Sequence, residues 1–103
     1  MNRNFTVPRE AVAEFCRKWR IAEFALFGSV LREDFSPRSD VDVLVTFSDD
    51  ARWSLFDFNA MREELTAIFG RNVDLVSRRG LERSRNYLRR EAILGSLEIL
   101  YAA

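Results

Sequence analysis

Asp40, Asp42 and Asp74 are the residues of this 103-residue chain most able to do chemistry, and Gly28-Ser29 is the turn most able to assist them. Val41, Val43 and Val45 alternate with Asp40, Asp42, Leu44 and Thr46, so the segment from Asp40 to Phe47 reads as a strand. Strand side chains at i and i+2 share a face, which sets Asp40 and Asp42 side by side, about 6.5–7 Å apart along the strand. Carboxylates fixed on one rigid face repel each other, and a cation between them removes that cost. Asp74 sits in Val73-Asp74-Leu75-Val76, a second short apolar strand of a kind that is depleted in Asp. If the two strands pair, three carboxylates converge on an oxygen-ligand site for one or two divalent ions. The plainer alternatives are a solvated strand face for Asp40 and Asp42, and a strand-edge carboxylate bonded to a turn for Asp74.

Gly28-Ser29 ends a short apolar strand, Glu23 to Phe27, and ten residues separate Ser29 from Asp40. A glycine permits close backbone approach, and free N–H groups at a helix start, with a serine hydroxyl, bind phosphate oxygens. The pair also fits an ordinary strand-to-helix turn with Ser29 as the N-cap.

These residues need a scaffold, and the pattern supplies one. Pro8 fits the first residue of a helix whose apolar face carries Val12, Phe15, Cys16 and Trp19. Val30 to Glu33 reads as a helical turn and Asp34 to Ser39 as a loop. Ser54 and Asp57 resemble a capping box, opening a helix with Leu55, Phe58, Met61, Leu65, Ile68 and Phe69 inside and Gly70 as its stop. Val73 to Ser77 is a third strand, Arg85 to Leu94 a basic helix ended by Gly95, and Leu97 to Tyr101 a last strand. The predicted fold is α/β (α+β): a small mixed sheet flanked by helices, in a single domain over residues 1–103.

Composition narrows the chemistry. The chain has no histidine, which excludes histidine-ligated zinc and His-based acid–base catalysis and leaves a hard cation such as magnesium. Cys16, the only cysteine, cannot form an internal disulfide and sits on the apolar stripe of its helix. Sixteen basic residues balance sixteen acidic ones, so direct nucleic-acid binding is not expected. No apolar run spans a bilayer and no signal peptide is visible, so no membrane partner is expected and the cytoplasm is the default location.

Taken together, Phe27-Gly28-Ser29-Val30-Leu31-Arg32, Ser39-Asp40-Val41-Asp42-Val43-Leu44-Val45 and Val73-Asp74-Leu75-Val76 resemble the DNA polymerase β-like nucleotidyltransferases. The resemblance extends over essentially the whole chain and is closest to the minimal nucleotidyltransferases found beside HEPN-domain partners. It implies a palm-like fold in which Gly28 and Ser29 bind a nucleoside triphosphate and Asp40 and Asp42 bridge two magnesium ions. Asp74 would bind the catalytic ion and help activate the attacking hydroxyl, and Arg32 would contact phosphate or brace the loop. It further implies AMP transfer from ATP to a tyrosine of a HEPN ribonuclease toxin, making the chain an antitoxin. Larger members append a helical domain; here the chain stops at Ala103, so a partner or second copy is expected to complete the site. Inhibition of a HEPN partner by contact alone, and modification of an antibiotic, are the competing functions.

Trp53, Phe56 and Phe58 crowd the start of the second long helix, and one helix face cannot bury all three. That surface, or the basic helix with Arg83, Arg85, Arg89 and Arg90, is expected to meet a HEPN toxin or a second copy. Light scattering on the chain, alone and with its genomic neighbour, checks this: a dimer or stable complex is expected, and a strict monomer in both samples contradicts it.

Overall fold

The computed structural model describes residues 7–28 and 39–103. In chain order the elements are α1 (Arg9–Lys18), β1 (Ile21–Phe27), β2 (Val41–Phe47), α2 (Leu55–Phe69), β3 (Val73–Ser77), α3 (Arg78–Glu82), α4 (Tyr87–Leu94) and β4 (Glu98–Ala102). The predicted turn at 30–33, and the loop after it as far as residue 38, lie outside the described residues. The four strands form one mixed sheet in the order β3-β2-β1-β4. β1 runs antiparallel to β2 and to β4, while β2 and β3 are parallel and α2 makes the crossover between them.

Local chemistry sets the ends of α2. The Ser54 side chain accepts from the Asp57 N–H while the Asp57 carboxylate accepts from the Ser54 N–H, closing the capping box. At the other end Gly70 takes the left-handed conformation at φ 71°, which glycine adopts without a Cβ penalty. Pro8 is the N-cap of α1 rather than its first residue, a one-position difference at a frayed end.

Helices cover both sheet faces. On one, Val12, Phe15 and Cys16 of α1 and Met61 and Leu65 of α2 pack on Phe24, Leu26, Val41, Val43, Val45, Val73 and Leu75. On the other, Leu81 of α3 and Ile93 of α4 close over Phe27 and Leu44. This second core differs from the plainer alternative of a solvated strand face, since Leu44 is 1% exposed. The segment 78–82, to which the sequence pattern assigns no element, forms α3, capped by the Ser77 hydroxyl, which accepts from the Gly80 N–H. The basic helix begins at Tyr87, not Arg85, because the Asn86 side chain accepts from the Arg89 N–H and fixes the start there.

The aromatic cluster separates. Trp53 lies edge-on to Trp19, ring centroids 5.1 Å apart, and its Nε1 donates to the Trp19 carbonyl at 3.0 Å. Phe58 packs against the core. Phe56 and Leu55 remain 89% and 88% exposed on the first turn of α2. Among the described residues no helix is long and apolar enough to cross a membrane.

Burial pushes the Cys16 thiol up to about 12 from its ordinary 9.0. Folding therefore favours the neutral thiol. Its contribution to stability is fully present below the unfolded value and is lost as pH rises through the folded one. The urea midpoint of the wild type is expected to fall between about pH 9 and pH 11 more steeply than that of Cys16→Ala. Equal slopes would contradict a buried neutral thiol.

Candidate active site

The parallel ladder puts Asp42 directly beside Asp74, with Val41 beside Val73 and Val43 beside Leu75. Paired residues on neighbouring strands lie about 4.8 Å apart, so the two carboxylates leave the same sheet face as neighbours. The valines on the opposite face are fully buried, which fixes the register: a one-residue slip would turn Asp42 and Asp74 into the core. Asp42 is half-buried and Asp74 exposed.

Phe27 pairs with Asp42 across the antiparallel ladder, and β1 ends there. The next residue, Gly28, has φ 73°. A Cβ there would stand 3.2 Å from the Asp42 Cγ and nearer still to its Oδ2. Sequence reasoning assigned this glycine to phosphate approach. The structure adds a second demand, since the missing side chain leaves room for the Asp42 carboxylate.

Together Gly28, Asp42 and Asp74 open into a cleft of about 810 Å³, whose wall includes Arg89 and Ile93 of α4 and Glu98 of β4. Arg89 and Glu98 were not among the residues singled out for chemistry. Arg89 was read only as part of a basic helix, and its three- and four-residue spacing to Ala92 and Ile93 is the signal that could have placed it here. Asp40 is exposed, lies just before the first residue of β2 and is not part of the cleft wall. Ser29 and Arg32 lie outside the described residues.

The donor chemistry suits a hard cation, since a half-buried and an exposed carboxylate stand in register with no nitrogen or sulfur ligand beside them among the described residues. Two is the number assembled: among the described residues no group of three His, Cys, Asp or Glu side chains is gathered closely enough to hold a metal ion. Asp42 and Asp74 are the two carboxylates that the paired strands bring together on this face.

Comparison with known proteins fits this arrangement. The nucleotidyltransferase domain family matches residues 8–98. A candidate protein adenylyltransferase of Methanocaldococcus jannaschii is 31% identical over 64 residues, covering 62% of this chain and 64% of that protein. The protein adenylyltransferase MntA of Thermococcus cleftensis is 36% identical over 69 residues, 67% of this chain and 68% of the relative. The match thus spans about two thirds of either relative, just under that share in the first. The fold is that of a solved complex of a tri-AMPylated Shewanella oneidensis HEPN toxin with its MNT antitoxin. The TM-score is 0.64 at 18% identity, covering 92% of this chain and 70% of the solved one.

The Gly28 geometry yields a double-mutant test. Gly28→Ala should destabilise the fold by about 1–2 kcal/mol from the left-handed backbone alone, plus the cost of overlap with Asp42. Combining it with Asp42→Ala should recover the overlap part, a coupling of at least about 0.5 kcal/mol in urea unfolding. Strict additivity would mean that the Asp42 carboxylate does not depend on that space.

Proposed function

Because this chain belongs to the nucleotidyltransferase domain family, we propose that it transfers AMP from ATP to a hydroxyl of a partner protein, with magnesium held at Asp42 and Asp74. The observation that carries the proposal is the register of those two aspartates on neighbouring parallel strands, beside a glycine that has no room for a side chain. Two relatives named as adenylyltransferases, one of them only as a candidate, support the AMP group. The S. oneidensis complex, in which a HEPN toxin carries AMP beside an MNT antitoxin, supports a HEPN toxin as the acceptor and an antitoxin role.

The acceptor oxygen attacks the α-phosphorus, the bond to the bridging oxygen of pyrophosphate breaks, and that oxygen leaves with the electron pair. Positioning and charge neutralisation supply most of the catalysis in such transfers, so the lack of histidine is no obstacle. Magnesium, when bound, neutralises charge on the triphosphate and the departing pyrophosphate. Asp42, braced from the sheet, would hold the ion that the phosphates bind. Asp74, the more exposed of the pair, is open to the acceptor and takes up or orients its hydroxyl proton. Gly28 lets the backbone approach the phosphates. In this proposal Asp40, Ser29 and Arg32 keep the metal and phosphate roles that the family resemblance gives them. The acceptor tyrosine rests on that resemblance as well.

Incubation with labelled ATP, magnesium and the HEPN protein encoded next to the chain tests the function. Asp42→Asn and Asp74→Asn should each lower label transfer at least about a hundredfold while the melting curve stays within a few degrees of wild type. Stable complex with no label on the partner would indicate inhibition by contact. Normal transfer by either variant would remove the metal role assigned to that aspartate.

A further inference from the structure

Charge on the described wall of the cleft is unbalanced. That wall carries three carboxylates, Asp42, Asp74 and Glu98, against one guanidinium, Arg89. A nucleoside triphosphate adds about four further negative charges, with the terminal phosphates carrying most of them. A cation at Asp42 and Asp74 answers part of that load at one end of the cleft. Nothing else among the described residues of the wall is positive except Arg89.

Arg89 is exposed, and the helix places it on the cleft wall. On α4, Arg89, Ala92 and Ile93 recur at i, i+3 and i+4 and all three line the cleft. Ile93 is buried with Phe27, Leu44 and Leu81, which fixes the rotation of the helix. The Arg89 N–H is itself held by the Asn86 side chain at 3.1 Å, so the guanidinium departs from an anchored turn. The neighbouring arginines are placed otherwise. Arg90 donates through Nη1 to the Glu82 carbonyl at 3.4 Å, and Arg83 and Arg85 are exposed and not part of the cleft wall. Arg89 makes no ion pair with any described residue, although three acids share its cleft.

We propose that Arg89 is a substrate-binding residue of this cleft, its guanidinium taking the terminal phosphates of the nucleoside triphosphate from the α4 side, opposite the Asp42–Asp74 pair. The assignment rests on the nucleotidyltransferase reading and extends it to a helix that the glycine–serine and aspartate motifs do not include. A planar guanidinium offers paired donors to phosphate oxygens, and a hydrogen bond between charged partners is about twice as strong as one between neutral partners. Lysine keeps the charge but not the fork, so Arg89→Lys should retain part of the affinity.

The test is calorimetric binding of a non-hydrolysable ATP analogue and of AMP, with magnesium, to the full chain. Arg89→Ala should weaken the triphosphate analogue about tenfold or more and AMP less than about twofold, with Arg89→Lys between Ala and wild type. Arg85→Ala, outside the cleft, should bind both ligands as wild type does. Equal weakening of the analogue and AMP would place Arg89 on the nucleoside, not on the phosphates, and overturn the proposal. Unchanged analogue binding in Arg89→Ala, with wild type binding well, would overturn it while leaving the nucleotidyltransferase reading standing. Failure of wild type to bind any triphosphate would overturn both.

Discussion

Two carboxylates held side by side on adjacent strands push each other apart, and everything around Asp42 and Asp74 is arranged to keep them there. At a separation of about 5 Å their repulsion is roughly 1 kcal/mol in water-like surroundings and roughly 3 kcal/mol at a protein surface. Against that stand the side chains behind them. Val41, Val43, Val73 and Leu75 alternate with the aspartates and are buried on the opposite face under α1 and α2. Each fully buried side chain of this size contributes about 1.5–3 kcal/mol, so the packing exceeds the repulsion several times over. The register is set by the core, and the pair of acids is carried along with it.

Two residues further along β2 the same face changes character. Asp42 opens to the cleft, while Leu44 is sealed beneath Leu81 and Ile93. That small second core does two jobs. It closes the sheet face immediately beyond the acids, which gives the cleft a floor and an apolar end. It also seats α4 through Ile93, so that Arg89 lines the same cleft as the aspartates. Gly28 completes the enclosure from β1, since any larger residue would occupy the space now used by the Asp42 carboxylate. The site thus depends on packing on both faces of one strand, not on a loop alone.

What the sequence made legible follows from the range of the forces involved. The ends of α2 were readable because capping is local: Ser54, Asp57 and Gly70 act on their own backbone. The pairing of Asp42 with Asp74 could be anticipated because two apolar strands with an acid in the same phase have few alternatives. Asp40 was harder. Alternation extends the strand back to it, but β1 ends opposite Asp42, and the ladder with β3 begins at Val41, so Asp40 lies just outside both ladders. The helix at 78–82 escaped notice because five residues containing a glycine and a single buried leucine carry no periodicity. The second core escaped with it, since one leucine among aspartates and a threonine does not mark a buried face. The crowding of Trp53, Phe56 and Phe58 was visible. Which of them would stay outside was not, because Trp53 settles on Trp19, thirty-four residues away.

The central claim is that the Asp42–Asp74 pair is where the metal and the phosphates meet. Crystals of the chain grown with manganese and a non-hydrolysable ATP analogue, measured near the manganese absorption edge, test it most directly. The account predicts an anomalous peak within coordination distance of both carboxylates, with the triphosphate running from it past Gly28 toward α4. A peak bound elsewhere, or a triphosphate lying outside this cleft, would contradict it.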